Sequence, residues 1–126
     1  MFKTDKTKAT GKLTVEIKDK QGNVKETREL ENLVVDTGLA FIASRMKDAT
    51  ATAMSHMAIG TGTSAAASGN TALGTEAARV ALTSTTVTSN AVAYVCSFAA
   101  GTGTGAITEA GILNAASTGT LLCRTV

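Results

Sequence analysis

The chain has 126 residues, enough for one domain with its own core, and its formal net charge is only +2. Two cysteines and one histidine cannot supply the four ligands of a zinc site built from Cys and His alone, and 3% aromatics leaves little for a carbohydrate-binding platform. The longest nearly apolar run, Ala91 to Ala100, is too short to cross a bilayer as a helix.

The small net charge conceals an uneven distribution. Residues 1–31 carry 14 of the 22 formal charges, whereas the 78 residues from Ala49 to Val126 carry four: Glu76, Arg79, Glu109 and Arg124. An average soluble stretch of that length would carry about 20. Soluble proteins stay apart partly through surface charge, so a surface this poor in charge reads as one that neighbours cover.

Residues 1–11 read as a basic arm and 12–126 as a single β-rich domain. Lys3, Lys6, Lys8 and Lys12 stand against Asp5 alone. Without arginine or interleaved aromatics these lysines do not make a nucleic-acid motif, and they read as contacts to an acidic protein partner or as a solvated terminus. No apolar run follows them, so the start lacks the pattern of a secretory signal, and the expectation is a chain made in the cytoplasm with reduced thiols.

From Lys12 to Leu30 the pattern is that of a β-hairpin. Leu13, Val15 and Ile17 alternate with Thr14, Glu16 and Lys18, Asp19 to Asn23 supplies the turn, and the return strand from Val24 is mostly charged, as in edge strands. After the extended Asn32 to Val35, one helix is expected over about 37–48. Asp36 is its N-cap, Leu39, Ile42, Ala43 and Met46 form its apolar stripe, and Phe41 lies off that stripe. A strand is expected from Met54 to Ile59, then a small-residue loop, Gly60 to Gly74, of a length that usually has a purpose or is ordered by a partner. Arg79–Thr88 and Ala91–Ala99 read as consecutive strands around Ser89-Asn90, with Val92, Tyr94, Cys96 and Phe98 on one face. Ile107–Leu113 and Thr120–Val126 complete about seven strands. The expected fold is mainly β, a compact β-sandwich or jelly-roll-like domain with one α-helix and an N-terminal β-hairpin.

No catalytic, cofactor or metal site can be assembled. Gly60-Thr61-Gly62-Thr63 and Gly101-Thr102-Gly103-Thr104-Gly105 lack the lysine of a phosphate-binding loop and the βαβ setting of a dinucleotide fingerprint, and read as turns. His56 stands alone as an imidazole base between Met54 and Met57. Glu76 and Arg79, three residues apart, suggest a structural ion pair. Glu109 reads either as a plain exposed glutamate or as a half-buried carboxylate paired with Arg79 or Arg124. Cys96 and Cys123 fall in apolar runs, where buried free thiols are the default.

Several segments, in this order, resemble a recurring pattern in small structural proteins of tailed bacteriophages. They are residues 32–45 (Asn-Leu-Val-Val-Asp-Thr-Gly-Leu-Ala-Phe-Ile-Ala-Ser-Arg), Ala58 to Ser64, Thr71 to Glu76, Thr108 to Asn114 and Gly119 to Arg124. The pattern is similar to that of capsid decoration (cement) proteins and of tail-fibre-associated proteins. The resemblance implies a many-copy virion component and carries no catalytic residue with it. The chain is short for a tail fibre, and the favoured expectation is a decoration protein on the outer surface of the head. Its partners would be the major capsid protein and further copies of itself, as a dimer or trimer, with no enzyme activity, cofactor, small-molecule substrate or membrane. The alternative is a tail, baseplate or tail-fibre-associated component.

Overall fold

The structure is a computed structural model that describes residues 8–126. Lys3 and Lys6 of the expected arm lie outside the described residues, while Lys8 and Lys12 are exposed. The fold is mainly β with one helix and an N-terminal hairpin.

The alternating segment forms β1 (Gly11–Lys18), paired antiparallel with β2 (Val24–Val34). Asp19 organises the turn. Its carboxylate accepts the N–H groups of Gln21 and Asn23 at 2.9 Å each, its own N–H donates to the Asn23 carbonyl at 2.9 Å, and its carbonyl accepts from Gly22 at 3.0 Å. Gly22 takes the left-handed conformation this turn needs, with φ 86°. The charged return strand is not the sheet edge. It lies between β1 and β8 (Leu121–Thr125), and β1 is the outer strand. Only Leu33 and Val34 of β2 pair with β8, so the rest of the hairpin extends beyond the body as a two-stranded ribbon.

The remaining strands are β3 (His56–Gly60), β4 (Glu76–Ala81), β5 (Ser84–Thr88), β6 (Ala91–Val95) and β7 (Glu109–Leu113). Six strands form one antiparallel sheet in the order β1-β2-β8-β7-β3-β4, and β5 and β6 form a separate ribbon. The segment expected as one strand from Arg79 to Thr88 is thus two. The chain breaks at Leu82-Thr83, where the Leu82 N–H turns to the Ser55 carbonyl at 2.8 Å and the Thr83 N–H to Val95 at 2.6 Å. Strand β6 likewise ends at Val95, short of the expected Ala99.

The helix α1 spans Asp36–Lys47, and its N-cap is Val35, not Asp36; no side chain caps it. Asp36 lies in the first turn, where its charge suits the dipole, and its N–H donates to the Ser68 carbonyl at 2.8 Å. The buried face also differs from the expected stripe. Met46 is 75% exposed, whereas Phe41 and Ile42 pack on the core together. Gly38 explains the rotation. A Cβ there would strike the Leu122 carbonyl, so its absence lets the helix rest directly on β8 with residues 38, 41 and 42 inward.

The core lies on both faces of β7 and β8, whose ten residues are all buried. On one face Met54, Ile112, Leu122 and Cys123 meet Phe41 and Ile42 from the helix, and Leu82 and Tyr94 from the β5–β6 segment. On the other, Val35, Ala58, Leu113 and Leu121 are closed over by Leu73 from the loop between β3 and β4. Helix and ribbon therefore form one cover of the sheet, and the long loop forms the other.

Candidate functional site

The long loop, residues 61–75, is rich in Gly, Ser, Thr and Ala and has no regular structure. Of its own side chains, Leu73 is buried in the core and Asn70 Oδ1 accepts the Ala67 N–H at 2.8 Å. Two charges on the sheet beneath hold its backbone. Glu109 opens β7 and Arg124 lies in β8, with side chains 0% and 2% exposed, and Arg124 Nε donates to Glu109 Oε1 at 3.0 Å. The carboxylate accepts three further bonds from the loop backbone, from the N–H groups of Gly62, Gly74 and Thr75, each at 2.7 Å. The guanidinium donates to the loop as well: to the Ser64 carbonyl at 3.0 Å, the Ala65 carbonyl at 3.3 Å and Asn70 Oδ1 at 2.9 Å. Thr108 adds a bond from its hydroxyl to the Gly62 carbonyl at 2.6 Å.

A buried ion pair is costly to desolvate unless its remaining hydrogen-bonding capacity is filled. Here the loop backbone fills it, so loop and pair stabilise one another. Burial pushes the Glu109 carboxyl up, but the backbone N–H groups of Thr75, Gly74 and Gly62 and the Arg124 guanidinium together hold it below the usual carboxylate range. Gly62 is required by closeness, because a Cβ there would collide with the Glu109 carboxylate.

The second pair is arranged alike on a smaller scale. Glu76 and Arg79 on β4 form a two-bond contact of 3.0 and 2.7 Å, and Arg79 Nη1 also donates to the carbonyls of Ala115 and Thr118 at 2.9 and 2.8 Å. It thereby pins the turn between β7 and β8. Arg79 and Glu109, offered as possible partners by the sequence, are in separate pairs, and Glu109 is fully buried instead of exposed.

All four charges between Ala49 and Val126 are thus paired within the chain, Glu109 and Arg124 in a buried pair and Arg79 with Glu76, whose side chain stays 33% exposed. Apart from the Glu76–Arg79 pair, the surface left to this half of the chain is uncharged: hydroxyls, alanines and glycines of the clasped loop, and the β5–β6 ribbon. Val87 and Val92 sit opposite one another on that ribbon, 69% and 48% exposed, and Val95 is 51% exposed. Tyr94, Cys96 and Phe98 are half-buried beneath, but Val92 lies too near the ribbon tip to reach the sheet.

No grouping of three metal-ligating side chains occurs among the described residues. His56 Nδ1 lies 2.7 Å from the hydroxyl of the adjacent Ser55, and among the described residues no carboxylate is hydrogen-bonded to that ring. Burial pushes the Cys123 thiol up to about 11 and raises Cys96 as well, so neither is primed as a nucleophile. An open groove of about 440 Å³ lies between the end of β2 and the clasped loop. Comparison with family models, with characterised proteins and with solved structures finds no match for the chain.

The clasp was the least visible part of the site in the sequence. Its signal was two single charges, Glu109 and Arg124, each set in an otherwise apolar strand.

Proposed function

We propose that the protein is a structural component of a tailed-phage virion, a decoration (cement) protein that binds the outer major-capsid lattice in many copies and reinforces the head. The observation that carries this reading is the pairing within the chain of every charged side chain from Ala49 onward, which leaves a broad surface with Glu76 as its one substantially exposed charge, built on a loop already held in place. A surface ordered before binding loses little conformational entropy when a neighbour covers it. Broad contact of this kind, repeated over a lattice, gains strength by multivalency and needs no deep pocket. The order of the phage-like segments along residues 32–124 supports the same reading.

Lys8 and Lys12, with Lys3 and Lys6 before them, would add an electrostatic attachment to the shell, alongside self-association as a dimer or trimer. The reading has no enzymatic step, cofactor or small-molecule ligand in it. Purified virions labelled with an antibody to this chain provide the test by electron microscopy. Label over the head surface is expected; label restricted to the tail would replace this reading with the tail-component one, and unlabelled virions would end both.

A further inference from the structure

The outer edge of β1 is an unpaired strand edge among the described residues, and its sequence complements itself. Which groups face outward follows from the turn. Both backbone groups of Asp19 bond across the hairpin, to Asn23 and Gly22. The irregularity beside Ile17/Lys18 places its extra residue, Lys25, on β2 and leaves the alternation of β1 intact. Counting back in twos, Ile17, Val15, Leu13 and Gly11 turn their N–H and C=O groups to β2. Lys12, Thr14, Glu16 and Lys18 turn theirs to the open edge. The other end agrees: Asn32 stands opposite Gly11, while Leu33 on the opposite side of β2 pairs with Arg124.

We propose that this edge pairs with the β1 edge of a second copy, antiparallel about a twofold axis at Thr14, so that two six-stranded sheets become one. The register is chosen by charge. Centred on Thr14, Lys12 of each copy stands opposite Glu16 of the other, twice over, and Leu13 stands opposite Val15. Centred on Val15, Lys12 would meet Lys18; centred on Glu16, the two glutamates would meet. Like charges directly opposite on a sheet are destabilising and opposite charges stabilising.

The hairpin also gains from the pairing. A two-stranded ribbon is marginal in water, and this one leaves its apolar face open, with Ile17 44% and Leu30 40% exposed. Four strands would set the Leu13, Val15 and Ile17 rows of both copies side by side. The twofold closes the contact on itself, so it yields a dimer and not a fibre. The proposal refines the self-association in the reading above. It is tested on purified protein alone, so its failure leaves shell binding standing.

Three variants measured by sedimentation decide it, with circular dichroism to verify the fold. The wild type is expected to be a dimer at micromolar concentration. Glu16→Lys sets lysine against lysine and is expected to raise the dimer dissociation constant about tenfold or more. Lys12→Glu does the same with glutamates, and the double swap Lys12→Glu/Glu16→Lys restores the dimer. A monomeric wild type, a dimer indifferent to Glu16→Lys, or a double swap that fails to restore association would each overturn the proposal. Register is read separately in a Cys96→Ser background. Thr14→Cys is expected to cross-link to itself under mild oxidation, because directly opposed residues lie within disulfide reach, about 5.5 Å between Cα atoms. Glu16→Cys, four residues from its own counterpart, is expected not to. The reverse result would overturn the register.

Discussion

The hairpin and the body use the same two chemistries, a carboxylate and a cation, to opposite ends. On the hairpin, Lys12–Glu29 and Arg28–Glu26 lie open to water, with side chains 61% and 61%, and 62% and 45%, exposed. Pairs of that kind add little to stability, because water and salt screen them. Their charge remains available for solubility, for an acidic neighbour, or for register against another copy. In the body, Glu109 and Arg124 lie under the loop they hold, and their charge is invisible from outside. The difference teaches that formal charge counts predict a surface only once burial is known. Residues 49–126 are even less charged outside than their sequence indicates.

The sharpest way to break this contrast is to remove one partner of each kind. Arg124→Met leaves the Glu109 carboxylate buried without its cation, and a loss of about 3–5 kcal/mol in unfolding free energy is expected from urea titration. A loss no larger than that of a surface substitution would show that the pair holds nothing. Acid separates the regions in a second way. Because folding holds the Glu109 carboxyl below its ordinary 4.5, its contribution is complete above that pH and is lost as pH falls through the lower folded value. The thermal midpoint of the wild type should therefore drop below pH 4.5 more steeply than that of Glu109→Gln. Equal slopes would place the acid sensitivity elsewhere.

Smaller effects refine the picture of the loop. Gly62→Ala pushes a methyl group toward the Glu109 carboxylate and is expected to cost about 1–3 kcal/mol. Gly69→Ala, in the same loop, meets open space and should change stability by no more than about 0.5 kcal/mol. Similar costs at both positions would mean that the loop is not clasped at Gly62. Arg28→Ala on the hairpin should likewise shift stability by no more than about 0.5 kcal/mol in the same denaturation assay.

What could be read from the sequence follows the range of the interactions. The hairpin, its Asp19–Asn23 turn and the Glu76–Arg79 pair are local, and alternation or a three-residue spacing exposes them. The helix was legible in extent but not in orientation, because the glycine that seats it, Gly38, acts through the distant Leu122 carbonyl. The clasp was hardest. Glu109 finds its partners in the backbone N–H groups of Gly62, Gly74 and Thr75, which leave no side-chain signature, and in an arginine 15 residues away. The division between β4 and β5 was hidden for a similar reason, since the bonds that end β4 run to Ser55 and Val95.

The central claim is that the uncharged body is the covered surface and the charged hairpin is not the main one. Amide hydrogen exchange of the protein, free and bound to undecorated phage heads, tests it most directly. The account predicts added protection in the 61–75 loop and the 84–95 ribbon on binding, with smaller change across the hairpin turn. Protection confined to residues 11–34, with the loop and ribbon exchanging as in the free protein, would contradict it.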